Sequence, residues 1–310
     1  MPKAINVCSL FDGMSCGQLA LKKAGIKINT YHASEIDKPA IKITQKNFPY
    51  TLQMGDITKL EDWRLEYIRD EIGIDLVIGG SPCQGFSFAG NQLNFDDPRS
   101  KLFFDFVRVL KILKPKYFLL ENVRMKKESQ DIISEYLGVE PVAINSNLVS
   151  AQNRHRLYWT NIPFDMPEDK ETMLADILED GVTDREKSHC LDANYFKGGN
   201  LKSYFEKHRR QLVFTSGAFR GRYNSEGKTE QKLELRYDGK TNSLTTVQKD
   251  NVAVDLKELT WRKLSVKECE RLQTVPDGYT EGVSNTQRYK MLGNGMTVDV
   301  IAHILKGITV

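Results

Sequence analysis

The opening twenty residues constrain the fold most. Ala4 to Phe11 is an apolar run of strand length and composition. Asp12-Gly13-Met14-Ser15-Cys16-Gly17 follows, and Gln18 to Ala24 reads as a helix stopped by Gly25. Strand, glycine turn and helix together open a nucleotide-binding βαβ unit. Glycines there let the backbone approach a ligand with no Cβ in the way. Thr30 to Ile36 reads as a second strand ending at Glu35-Ile36-Asp37. Glu35 lies about twenty residues past the turn, the spacing at which a carboxylate accepts hydrogen bonds from ribose hydroxyls. The turn lacks the GxGxxG pattern and a P-loop lysine, so it does not single out a pyrophosphate. A nucleoside with a small charged tail, such as S-adenosylmethionine, fits it as well.

The same alternation continues. Pro39 to Phe48 and Asp62 to Ile72 read as helices, with Gly55-Asp56-Ile57 a strand end between them. Ile74 to Ile78 is strand-like, Lys101 to Lys114 is an amphipathic helix ended by Pro115, and Tyr117 to Leu120 is a strand ending at Glu121-Asn122-Val123. Asp131 to Leu137 reads as a helix and Val142 to Val149 as a strand leading to Gln152-Asn153-Arg154-His155-Arg156. Strands alternating with helices predict an α/β fold, a doubly wound parallel sheet with helices on both faces. From about Pro163 the character changes to short β-like runs at 211–215, 233–237, 243–247 and 251–254. A smaller, irregular, β-rich second domain is expected over 163–284. The large domain then comprises 1–162 and 285–310, with a glycine turn at Leu292-Gly293-Asn294-Gly295 and a last helix from Val298 packing back on it.

Between the Ile74 strand and the Lys101 helix stands Gly79-Gly80-Ser81-Pro82-Cys83-Gln84-Gly85-Phe86-Ser87. In open α/β sheets ligands bind at the carboxyl ends of strands, where this run begins. Pro82 restricts Ser81 to extended backbone and presents Cys83 on a stiff shoulder, as a nucleophile requires. Five cysteines, with no CxxC pair, argue against a disulfide framework or a zinc site, so no metal is expected. A reducing, cytoplasmic setting suits a free thiol. There is no room for a signal peptide before the first strand and no run of 18 apolar residues for a membrane span. Net charge is only +3, but Lys197 to Lys240 holds eleven Lys/Arg against five Asp/Glu. That local excess points to a surface for a polyanion.

The turn at Gly13 and Gly17, Glu35, Cys83 and Glu121 all fall at carboxyl ends of expected strands and so face one crevice. At this point the chain resembles the DNA cytosine-5 methyltransferases of bacteria and phages. The residues that carry the resemblance are Phe11-Asp12-Gly13-Met14-Ser15-Cys16-Gly17, Gly80-Ser81-Pro82-Cys83-Gln84-Gly85-Phe86-Ser87, Glu121-Asn122-Val123, Gln152-x-Arg154-x-Arg156, Arg271-Leu272-Gln273-x-x-Pro276 and Gly293-Asn294-Gly295, in that order. Ser15 departs from the glycine that many members carry, which implies an altered turn geometry with cofactor binding kept.

The resemblance implies a Rossmann-like catalytic domain that uses S-adenosyl-L-methionine and a target-recognition domain that reads a short site in double-stranded DNA. A target base must then be flipped from the stack, at a cost of a few kcal/mol. It implies that the Cys83 thiolate attacks carbon 6 of cytosine while Glu121 supplies a proton or strong hydrogen bond at N3, making carbon 5 nucleophilic toward the methyl group. Arg154 and Arg156 would bind the base oxygen and nearby anionic groups. Phe11, Asp12, Gly13, Ser15, Gly17, Glu35, Ile36, Asp56, Ile57, Pro82, Leu102, Asn294, Gly295 and Met296 would hold the cofactor. Gln84, Gly85, Ser87 and Arg99 in the following loop, with Arg209, Arg210, Arg220, Arg222, Arg236 and Lys240, would contact DNA. Tyr195, Phe196, Tyr204, Phe219 and Tyr223 read as a small core more readily than as base-stacking groups. A monomer, and a cognate restriction endonuclease as partner, belong to the same expectation. A tRNA methyltransferase of this fold would carry Pro at position 81 and a Cys-Phe-Thr signature, and neither occurs here.

Overall fold

The computed structural model describes residues 4–81, 98–214, 220–223, 229–232 and 261–309. Its first half alternates as expected: β1 (Ile5–Leu10), α1 (Cys16–Lys23), β2 (Ile28–Ser34), α2 (Lys38–Asn47), β3 (Leu52–Gln53), α3 (Asp62–Tyr67), β4 (Leu76–Gly79), α4 (Pro98–Leu113), β5 (Tyr117–Val123), α5 (Lys127–Leu137), β6 (Val142–Asn145) and β7 (His155–Thr160). The helix expected to Ile72 stops at Tyr67 and continues as a π-turn. The run to Val149 bends after Asn145 into a 3-10 turn.

These strands form one seven-stranded sheet in the order β3-β2-β1-β4-β5-β7-β6. The order reverses beside β1, so the crevice at the carboxyl ends of β1 and β4 is the topological switch point. Pairing is parallel except around β7, which runs antiparallel to both β5 and β6. That corrects the wholly parallel expectation. The nine residues between β6 and β7 hold no crossover helix to turn the chain round, so the two strands pair antiparallel.

Both sheet faces are covered, which is why the strands read as unbroken apolar runs. Leu76, Ile78, Tyr117 and Leu119 enter one core, while Val77, Phe118 and Leu120 enter the other, in strict alternation. Helices α3, α4 and α5 cover the second core.

The remaining elements are α6 (Leu174–Ile177), α7 (Leu201–Lys207), β8 (Leu212–Phe214), β9 (Arg220–Tyr223), β10 (Thr229–Lys232), β11 (Trp261–Lys263), α8 (Val266–Leu272), α9 (Asn285–Asn294) and α10 (Val298–Leu305). Strand β8 pairs with β11 and β9 with β10, both antiparallel, and Tyr204, Leu212 and Phe214 form a small core of their own. The β-like runs at 233–237, 243–247 and 251–254 lie outside the described residues. Leu174, Leu191, Tyr195, Leu264, Cys269, Leu272 and Tyr279 share a core with Val7 and Leu21, so much of the segment expected as a second domain is buried against the first. Helix α10 packs on α1, as expected. The glycine turn expected at residues 292–295 is instead the last turn of α9. Gly293 has no Cβ because the backbone of Asp192 and Ala193 would lie 2.3–2.5 Å from it.

Candidate active site

The turn after β1 contains three left-handed residues, Phe11 (φ 57°), Gly13 (φ 59°) and Ser15 (φ 64°). A non-glycine residue in that region is strained by roughly 1 kcal/mol. Ser15 offsets this by donating from Oγ to Asp12 Oδ2 at 2.6 Å and accepting from Gln18 Nε2 at 2.9 Å. Tyr31 Oη donates to the other Asp12 oxygen at 2.8 Å. Burial pushes the Asp12 carboxyl up to about 6, against the pull of these hydroxyls. Ser15 therefore keeps the turn in the shape that a glycine would allow. Glu35 fastens the turn to β2: its Oε2 accepts from Gly13 N (2.7 Å) and its Oε1 from Ile36 N (2.7 Å) and Asp37 N (2.8 Å).

A cavity of about 590 Å³ opens at this edge, within the range of small-molecule sites. Of the expected cofactor residues, Phe11, Asp12, Gly13, Glu35, Ile36, Asp56, Ile57, Leu102, Asn294, Gly295 and Met296 line it. Ser15 and Gly17 support it from behind. A Cβ on Gly17 would meet Tyr31 Oη at 2.8 Å. Asp56 also caps a 3-10 turn, accepting from Thr58 N and Oγ1, and these bonds hold its carboxyl below the usual range. Met291 and Gly293 line the cavity too. Reading their segment as a loop hid them. The apolar wall of Phe11, Ile36 and Leu102, with carboxylates at Glu35 and Asp56, suits a nucleoside, and Ile36 remains 70% exposed beside it.

Glu121 and Arg156 line the same cavity. Glu121 stands on β5 and Arg156 on β7, where Val123 pairs with Arg156 in the antiparallel register. Arg156 Nε meets Glu121 Oε1 at 3.0 Å and its Nη1 donates to His155 O at 2.8 Å. Burial is the largest influence on the Arg156 charge and works against it, but Glu121 together with Cys190 and Tyr158 outweighs it and the net shift is upward. Glu121 Oε2 lies beside Gly80, where a Cβ would approach it to 3.3 Å. Asn122 Nδ2 reaches Ser81 Oγ at 3.3 Å, tying the end of β5 to the residue two before Cys83. Arg154 differs from its neighbour. It is 2% exposed and its guanidinium donates to Leu191 O, Gly293 O and Gly295 O at 3.0, 3.2 and 2.8 Å. Arg154 nonetheless lines the same cavity as Glu121 and Arg156.

Pro82, Cys83, Gln84, Gly85, Ser87, Arg236, Lys240 and Phe219 lie outside the described residues, as do the side chains of Arg99, Arg220, Arg222 and Tyr223. Arg209 is exposed. Arg210 is engaged by Asp192 (3.3 Å) and Gly198 O (3.0 Å). Tyr195 and Tyr204 are core residues, as the sequence favoured. Burial pushes the thiols of Cys8 and Cys16 up to about 12, and that of Cys269 up as well. Half-buried Cys190 does not line the cavity. Among the described residues no group of His, Cys, Asp and Glu is placed to hold a metal ion, and no helix is long and apolar enough to cross a membrane.

Comparison with known proteins gives the family. The chain is 30% identical to the type II methyltransferase M1.ScrFI of Lactococcus lactis subsp. cremoris over 96% of its own length and 76% of that protein. It is 28% identical to M.NlaX of Neisseria lactamica over 96% and 94%. In fold it is similar to the Entamoeba histolytica methyltransferase EhMeth, with a TM-score of 0.71 at 18% identity over 98% of each chain. The profile of the C-5 cytosine-specific DNA methylases matches residues 5–309. The chain belongs to that family and is a DNA cytosine-5 methyltransferase that uses S-adenosyl-L-methionine.

Proposed function

We propose that this enzyme methylates carbon 5 of a cytosine flipped out of double-stranded DNA, through a transient bond from Cys83 to carbon 6. The observation that carries the proposal is the convergence of Glu121, Arg156, Gly80 and Ser81 on the cavity that holds the cofactor residues. Cys83 follows Ser81 by two residues. Three of the other four thiols are buried and hard to ionise, so none of those three competes as nucleophile.

Cytosine carbon 6 is a poor electrophile. Glu121, supplying a proton or a strong hydrogen bond at N3, lets the ring accept electron density as the Cys83 sulfur adds. Arg156 holds Glu121 in place and offers its guanidinium to the base oxygen. S-adenosylmethionine, when bound, supplies an electrophilic methyl group. Phe11, Ile36 and Leu102 would pack on its purine, Glu35 would accept from the ribose, Asp56 would accept from the adenine amino group, and Asn294 to Met296 would close the amino-acid end. Loss of the carbon-5 proton then releases the sulfur. The base-pair context would be read by the basic segment 197–240, and the domain division at 163–284 is part of this reading. The enzyme would act as a cytoplasmic monomer, with a cognate restriction endonuclease as its natural counterpart.

The test is a covalent trap. Duplex DNA carrying 5-fluorocytosine should form a denaturation-resistant adduct with the native chain and with Cys190→Ala. Cys83→Ser should form none. An adduct that survives Cys83→Ser would overturn the assignment.

A further inference from the structure

Arg154 is the most anomalous buried charge among the described residues. Its guanidinium is out of water, next to the like charge of Arg156, and makes no ion pair among the described residues. Burial and then that neighbour hold its proton affinity down. Such a cation is costly unless it is well bonded. Its partners are three backbone carbonyls and, at 3.5 Å, Cys190 Sγ.

These carbonyls come from two places. Gly293 and Gly295 line the cofactor cavity at the end of α9, where a cation meets the negative end of a helix. Leu191 belongs to the segment that leads into the basic region. A second buried chain of bonds runs parallel to the first. Gln152 Oε1 accepts from Leu191 N at 3.3 Å, and its Nε2 donates to Gln273 Oε1 at 3.1 Å. Gln273 Nε2 donates to Leu292 O at 2.6 Å. Gln152 and Gln273 are fully buried. Each path therefore joins the 191 segment to the cavity wall at 292–295 through one side chain of the β7 approach.

We propose that Arg154 is a positioning residue that couples cofactor binding to DNA binding. Cofactor seated against Gly293 and Gly295 fixes their carbonyls, these fix the guanidinium, and the guanidinium fixes the 191 segment from which the chain runs on into the basic region. By reciprocity, DNA on that region must tighten the cofactor by the same factor. The inference rests on the reading that both ligands bind as proposed above.

The experiment is a binding cycle. The dissociation constant of S-adenosylhomocysteine is measured by calorimetry without DNA, and again with a saturating duplex that carries the site found by bisulfite sequencing of a methylated random library. The ratio is the coupling factor, which for coupled sites is about 5–150-fold. The native chain should show a factor in that range. Arg154→Met should bring it near one and weaken S-adenosylhomocysteine by about tenfold in the absence of DNA. Arg154→Lys, which keeps the charge but has a single donor group, should fall between. A residue that only stabilises the fold would weaken both ligands and leave the ratio unchanged. A ratio near one in the native chain, or one retained in the variants, overturns the proposal. Should Arg154→Met fail to fold, Arg154→Lys carries the decision. If the native chain binds neither ligand, the functional reading itself fails, which is a different result.

Discussion

Asp12 makes the stability of this enzyme depend on pH in an unusual direction. Its carboxyl is 4% exposed, and burial raises it from 3.8 to about 6. The folded state therefore holds the proton more tightly than the unfolded chain does. The associated stability is fully present below about pH 3.8 and is lost as pH rises through about 6. Two units at about 1.4 kcal/mol each give about 3 kcal/mol in all. About a tenfold change in the unfolding constant falls between pH 5 and pH 7.5. Asp12→Asn removes the titration while keeping the shape, and the hydroxyls of Ser15 and Tyr31 can turn to accept from the new amide. Urea unfolding of both proteins at a series of pH values gives the difference, in which the other titrating groups cancel. The variant should gain on the native chain by about tenfold in the unfolding constant from pH 5 to pH 7.5. A difference that is flat, or that falls, would refute the reasoning about burial.

Gly293→Ala forces a Cβ to within 2.3–2.5 Å of the Asp192 and Ala193 backbone, and should destabilise by about 1–3 kcal/mol or more. Thermal melts with and without S-adenosylhomocysteine should show a lower Tm and a smaller ligand shift. Ser15→Gly relaxes a left-handed residue but loses the hydroxyl on Asp12; a charged hydrogen bond worth about 1.5–3 kcal/mol outweighs about 1 kcal/mol of strain, so denaturant unfolding should show a net loss. Glu121→Gln removes the acid and its pairing with Arg156. Methyl transfer should fall by about 10²–10⁴ in kcat, with cofactor affinity measured by calorimetry little changed.

The sheet was legible because both its faces are buried, so each strand announces itself as an apolar run, Tyr117 to Leu120 being one. Strand direction was not legible: the reversal at β7 depends on pairing with β5, over thirty positions away in sequence, and no local residue records it. The acid at Glu121 and the carboxylate at Glu35 were found from their places at strand ends, and both stand at the cavity. Arg154 and Arg156 look alike in sequence, two residues apart, yet one meets a carboxylate and the other three carbonyls. Only the tertiary surroundings separate them. Gly293 was read as a turn former, but the structure uses it for close approach of another backbone. The burial of Leu264 to Tyr279 with β1 was likewise hidden, because composition marks a change of character and not the partner a segment packs on.

The reversed strand has a consequence for how this enzyme can be inactivated or evolve. Arg156 faces the crevice because β7 pairs Arg156 with Val123 on one side and Ile144 on the other. Sliding the hairpin by a single position would offer His155 or Leu157 at that spot and turn the guanidinium toward the opposite face. A change of length in the nine residues between β6 and β7 would therefore misaim Arg156, and because Ala151, Gln152 and Arg154 among them are buried it would cost folding as well.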